Sequence, residues 1–224
     1  MGMQISYMMG DIKLTSRYWV KLFLSTLFVG GLTTGVFGFI VRWEEFKPIF
    51  VDFDFIEILS VFIWLVGVGF IFSVLSQAGF FAYLTIHRFG LGIFKTVSLW
   101  NAVQLVLIAF VLFDLVYLRY QTFAADGESV LNYLRLPGVI LIIGVVVAFF
   151  KAKMTNKHAF IPAMFFMVVV SSIELLIVLN VNEESWIQLM TIPLLVCNAY
   201  QLLVLHKYNE LSRIDRANKQ NKSI

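Results

Sequence analysis

The sequence predicts an all-α polytopic membrane protein, a six-transmembrane-helix bundle with both termini cytoplasmic. Three observations carry that expectation. Of 224 residues, 60% are hydrophobic and only 14% charged, against roughly 45–50% and 25% in soluble domains. The apolar residues come in long blocks, and about 20 helical residues cross a ~30 Å hydrocarbon layer. The basic residues fall on alternate connections between those blocks.

The blocks run from Tyr18 to Val41, Ile56 to Leu84, Thr96 to Leu118, Leu134 to Phe150, Ala159 to Val181, and Trp186 to Leu205. The fourth is short for a span. Backbone groups in lipid must be satisfied within their own segment, so the blocks are expected to be helices. They lack the period-2 alternation of barrel strands. The connections are too short to hold a soluble domain. The expected organisation is a cytoplasmic segment over 1–17, the membrane domain over 18–205, and a basic cytoplasmic tail over 206–224 that extends the last helix. The first block is too long for a signal-peptide core and lacks a small-residue cleavage site, so it is expected to remain as a span.

Orientation follows from the excess of Lys and Arg on cytoplasmic loops. One set of connections holds Lys13, Arg17, Lys21, Arg88, Lys95, Lys151, Lys153, Lys157, Lys207, Arg213, Arg216, Lys219 and Lys222; the other holds only Arg42, Lys47, Arg119 and Arg135. The richer set is assigned to the cytoplasm, where it would attract anionic membrane lipid. That distribution accounts for the net charge of +3 and gives no reason to invoke nucleic acid.

Ionisable residues inside a span are functional suspects because they are costly there. Asp114 and Glu174 are two such residues, and Arg42 at the outer end of the first block is placed to reach either. Gln77, Asn101, Gln104, Asn198 and Gln201 form an uncharged set that either ties helices together or lines a polar cavity. Together these eight make a candidate intramembrane polar site. Gly31, Gly35 and Gly38 make a candidate helix-packing face, since small residues let two backbones approach. Pro193 is expected to kink the last span. Cys197 reads as a small buried hydrophobe.

Catalytic motifs are missing: there is no H-E-x-x-H, paired-Asp or G-x-S-x-G pattern. Glu44-Glu45 lacks histidine partners. His87, His158 and His206 are too scattered to form a metal set. No catalytic, metal or cofactor residues are assigned.

The run from Arg17 to Leu32 (RYWVKLFLSTLFVGGL), Gly38 to Trp43 (GFIVRW), Ser76 to Leu84 (SQAGFFAYL) and His87 to Gly90 (HRFG) resemble the KinB-signalling-pathway activation protein family, KbaA, of spore-forming bacilli. The likeness covers about Ser16 to His206. The first fifteen residues fall outside it, and Met3, Met8 and Met9 leave the start position open. The resemblance implies a regulator of sporulation that promotes signalling through KinB, a membrane sensor histidine kinase feeding the phosphorelay. It supplies no catalytic residue. The mechanism expected is contact between membrane helices, with the glycine face packing against a kinase span or within this chain's own bundle. The alternative is a small-molecule or proton-coupled carrier using Asp114 and Glu174.

Overall fold

The computed structural model describes residues 14–221. Among these residues every regular element is helical. The main helices are α1 (Ser16–Val41), α2 (Trp43–Val51), α3 (Phe55–Phe94), α4 (Val97–Phe123), α5 (Arg135–Met154), α6 (Phe160–Phe165), α7 (Ser171–Leu179) and α8 (Glu184–Asn221). A π turn, Phe166–Val170, joins α6 to α7. Short 3-10 turns lead into α5 (Val130–Leu134) and α6 (Lys157–Ala159). Six segments are long and apolar enough to cross a membrane. Their outward faces carry large apolar side chains, among them Phe28, Ile71, Phe110, Ile142 and Ile177. That surface suits hydrocarbon rather than water.

Local chemistry sets the helix ends. Asp54 caps α3 by accepting a hydrogen bond from the Glu57 N–H at 3.0 Å, and Thr96 caps α4 through the Leu99 N–H at 3.3 Å. Both satisfy orphan donors of a first turn. Between them Lys95 closes α3 at φ 57°, the left-handed conformation that terminates many helices.

The helices outrun the apolar blocks. α3 continues past Leu84 to Phe94, α4 ends at Phe123, and α8 reaches Asn221. The fourth segment spans Val130–Met154 and is not short. A hydropathy reading stops at Lys151, but that side chain is buried and its Nζ donates to the Leu202 carbonyl at 2.6 Å. The connection between α1 and α3 also holds α2, which buries Phe46. Residues 1–13 and 222–224, including Met3, Met8, Met9, Lys13 and Lys222, lie outside the described residues.

α1, α3 and α8 form the tightest group, and the span built from α6, the π turn and α7 is the most enclosed, with α4 and α5 beyond it. α1 buries Tyr18, Leu22, Thr26, Gly30, Thr34 and Gly38, one ridge at four-residue spacing. Thr26 and Thr34 turn their hydroxyls back onto the Leu22 and Gly30 carbonyls, at 2.7 and 2.9 Å. That leaves methyl groups and bare backbone at the contact. A Cβ on Gly69 would stand 2.5 Å from the Gly30 carbonyl oxygen, and one on Gly30 would stand 3.0 Å from the Gly69 carbonyl oxygen. The two backbones therefore meet where neither helix has a side chain.

The same contact occupies the predicted glycine face. Gly31 is covered by Phe70 and Val66, Gly35 by Phe62 and Val66, and Gly38 by Leu65. All three seat against α3 of the same chain.

The start of α1 is held to the extension of α8. The Thr15 N–H donates to Ser212 Oγ at 2.8 Å, and the Tyr18 hydroxyl donates to Asp215 Oδ2 at 2.8 Å. Both lie at one end of the bundle. At the other end Arg42 stacks on Trp186, 5.2 Å from the ring centroid, and Arg119 donates to Asn182 Oδ1 at 2.9 Å. The connection before α5 turns at Gly127 (φ 85°) and is organised by Glu128. That carboxylate accepts from the Ala125 N–H at 3.2 Å, the Tyr133 hydroxyl at 3.1 Å and Asn132 Nδ2 at 3.3 Å. The backbone donor, then the Asn132 and Tyr133 donors, hold the carboxyl below its ordinary range.

Two predictions follow from the packing and the loop. Gly31→Leu or Gly35→Leu overpacks the α1–α3 contact and is expected to cost about 1–3 kcal/mol or more. Gly67→Ala, which meets nothing within 4 Å, is expected to be neutral or stabilising by up to about 1 kcal/mol. Thermal unfolding in detergent ranks the three; equal stability of all would contradict the packing. For Glu128, a depressed folded-state value means its stabilisation is fully present above the ordinary carboxylate range and is lost as pH falls through the folded-state value. Hydrogen exchange over 124–133, corrected for intrinsic rate, should rise in that acidic window in the wild type and not in Glu128→Gln.

Candidate functional site

The enclosed span supplies two polar side chains on one face, Ser171 and Glu174, at i and i+3. The π turn before them holds one residue more than an α turn, rotating the following helix by about 100° relative to an uninterrupted α-helix. All five π residues remain buried, and α7 presents Ser171 and Glu174 to α8. Ser172 donates its hydroxyl to the Val168 carbonyl at 2.6 Å instead. α8 answers with Asn198 and Gln201, again at i and i+3, and α3 with Ser76.

These side chains form one hydrogen-bonded chain across three helices. Asn198 Nδ2 donates to Glu174 Oε2 at 2.7 Å and to Ser171 Oγ at 2.9 Å. Asn198 Oδ1 accepts from the Ser76 hydroxyl at 2.7 Å. Ser76 Oγ in turn accepts from Gln201 Nε2 at 2.7 Å. Gln77 donates to Ser73 Oγ at 3.3 Å on the side of α3 next to Cys197. Glu174 is 4% exposed, Gln201 1%, and Ser76, Ser171 and Asn198 are fully buried. Glu174 Oε1 alone has no hydrogen-bond partner. It lies against Gly79 of α3, where a Cβ would collide with it. The Gly79 Cα–H points at that oxygen, so glycine gives the carboxyl room and only a weak C–H donor.

Four of the eight residues expected at a polar site, Glu174, Gln77, Asn198 and Gln201, are brought to this region. The other four are not. Gln104 is buried on α4 beside His87 of α3, 3.4 Å from Nδ1, and the Trp100 indole N–H donates to the same nitrogen at 3.0 Å. Gln104 Oε1 there has no partner. Asn101 is half-buried on the same helix with its Oδ1 unpartnered. Asp114 is half-buried further along α4 and takes no part in the Glu174 network. Arg42 reaches neither carboxylate, because Glu45, three residues on, pairs with it at 2.6 Å and Trp186 and Phe46 flank its guanidinium. An arginine at a helix end finds local partners before it finds one deep in the bundle.

Sequence reasoning left Ser76, Ser171 and Trp100 out of the polar candidates and weighed His87 only as a metal ligand. The signal for the serines was helical spacing: Ser171 stands one turn before Glu174, and Ser76 adjoins Gln77. Nothing in the sequence pointed to Gly79 as the floor of the site.

Removal of the central amide should expose the dependence of the site on Asn198. Asn198→Ala leaves Glu174, Ser171 and Ser76 without their shared partner and is expected to cost about 1–3 kcal/mol. A double-mutant cycle of Ser76→Ala with Asn198→Ala should return a coupling of about 0.6–1.7 kcal/mol. Strict additivity in thermal or denaturant unfolding would contradict the network.

Comparison with known proteins addresses the whole bundle. The family model for KinB-signalling pathway activation in sporulation, KbaA, matches residues 30–208. A relative from Bacillus subtilis (strain 168), the KinB-signaling pathway activation protein, is 47% identical over 193 residues, covering 86% of this chain and 98% of the relative. No solved structure matches the chain. The matched segment takes in four of the six long helices whole, the second half of the first and the greater part of the last; the chain belongs to the KinB-signalling pathway activation (KbaA) family.

Proposed function

We propose that this chain is a multi-pass cell-membrane protein that activates the KinB signalling pathway in sporulation without catalysis, through contact between helices in the bilayer. The observation that carries the reading is the family match, which extends over the helical bundle itself. The six apolar helices and their outward apolar faces support the membrane location. The docking of α1 onto the α8 extension places the start of α1 and the last helical turns at one end. The basic residues gather at that end, which we assign to the cytoplasm.

The contact surface follows by elimination within the bundle. The glycine face of α1 is filled by α3, so a kinase span would meet outward side chains instead. α4 is the least buried of the long helices, burying only Trp100, Gln104, Ile108 and Leu115. A contact that favours the active arrangement of a kinase by about 1–2 kcal/mol shifts its population about five- to thirty-fold.

Photo-crosslinking residues at Phe110 and Phe113 on α4, and at Phe28 on α1, are expected to capture the KinB kinase in native membranes, and deletion of the chain to reduce sporulation signalling. Intact signalling in the deletion strain would overturn the reading. Loss of signalling with no crosslink from any outward face would overturn direct contact. The buried carboxylate of Glu174 favours one other reading, a carrier. In that case Asp114→Asn with Glu174→Gln abolishes uptake into proteoliposomes, whereas a contact activator retains its signalling.

A further inference from the structure

The Glu174 carboxylate is enclosed, yet one of its oxygens has no donor and no cationic side chain reaches it among the described residues. Arg42 is paired with Glu45 at a helix end. Lys151, the buried amine, is committed to the Leu202 carbonyl. His87 sits with Trp100 and Gln104 in the other cluster. A buried carboxylate left in this way lacks the compensation that buried charges otherwise find.

We propose that Glu174, Ser171 and Asn198 form a binding site for a small monovalent cation of the sodium class. The donor set is all oxygen: a carboxylate, a serine hydroxyl and a side-chain amide. Hard cations select such ligands. Glu174 presents Oε2 to Asn198 beside Ser171, while Oε1, set against Gly79, has no donor. Ser171 Oγ accepts one hydrogen bond, from Asn198, and retains a second lone pair. Asn198 supplies the third oxygen by turning its amide through half a rotation, which exchanges Nδ2 and Oδ1 without changing shape.

The surrounding bonds accommodate that exchange. With Nδ2 facing α3, Ser76 Oγ accepts from both Asn198 and Gln201. Its proton then turns to a carbonyl one turn back on its own helix, as Thr26, Thr34, Ser172 and Thr191 already do. Without a cation the amide donates to the carboxylate, as observed; with one, its oxygen joins the carboxylate around the ion. Gly79 gives the carboxyl room to sit here, since any Cβ there would displace Oε1. The bound cation would tie α7 and α8 together beside α3 and thereby set how tightly the core of the bundle closes.

The test is made on the purified full chain in detergent, independently of signalling in cells. Thermal unfolding is followed in NaCl, LiCl and KCl against N-methyl-D-glucamine chloride at constant ionic strength. The wild type should show a rise in apparent Tm that grows with the logarithm of sodium or lithium concentration above the Kd and reaches about 3–6 °C at ten times the Kd. Glu174→Gln should lose the response, and Ser171→Ala should need about tenfold or more cation for the same rise. Sodium-23 NMR line broadening gives a second reading: broadening by the wild type that lithium reverses is expected. Should Glu174→Gln not fold, the wild-type titration and Ser171→Ala decide. Identical wild-type Tm in all four salts, or a response that Glu174→Gln or Ser171→Ala retains unchanged, would overturn the proposal.

Discussion

Two backbones meet at Gly30 and Gly69, and much of the bundle is built outward from that approach. Apolar burial gives little net attraction between helices surrounded by hydrocarbon, so close packing and hydrogen bonds must hold them. Glycine on both sides allows carbonyl oxygens to lie within contact distance of the facing Cα atoms. Thr26 and Thr34 assist by satisfying their hydroxyls on their own helix. With α1 drawn in, Cys197 of α8 packs into the same seam, its Sγ 3.9 Å from the Thr26 carbonyl oxygen. That contact aligns α8 with α3 so that Ser76 faces Asn198.

The polar chain across α3, α7 and α8 depends on that alignment and on the π turn. A continuous α-helix through Phe166–Val170 would carry Ser171 and Glu174 to a different azimuth. The π turn costs regular hydrogen bonding, a cost borne most often where a side chain must be aimed. Here the result is a carboxylate set against Gly79 and held by one asparagine. The network joins the most enclosed span to two members of the α1–α3–α8 group, so a change at Glu174 is felt directly by α3 and α8. The proposed contacts on α4 lie one layer away from this network, through the π turn and α6.

The two polar clusters differ in what they leave open. Around His87, two donors converge on one nitrogen, and the unpartnered atom is the carbonyl of Gln104, a neutral acceptor. Around Glu174 the unpartnered atom belongs to a carboxylate. A neutral acceptor left bare costs a modest amount, whereas a bare carboxylate oxygen is relieved by a proton or a cation. That difference is why the proposed cation site is built on Glu174 and not on the His87 cluster.

The sequence by itself determined the number of apolar helices, their approximate limits and the asymmetry of basic residues, because those properties are local: hydropathy, length and charge act along the chain. It also marked Glu174, Asn198 and Gln201 as costly side chains in need of partners. It did not show that Arg42 is spent on Glu45 and Trp186, that Lys151 is buried within α5, or that the glycines of α1 face Phe62, Leu65, Val66 and Phe70. Each depends on which helices are neighbours and at what rotation. Four residues of the expected polar set converged because their helices pack at the core, while Asp114 and Asn101 stayed apart because α4 packs at the edge. Only the tertiary structure decided that division, since azimuth and neighbour order are fixed by interhelical contacts such as Gly30 with Gly69, and by a π turn that no hydropathy pattern records.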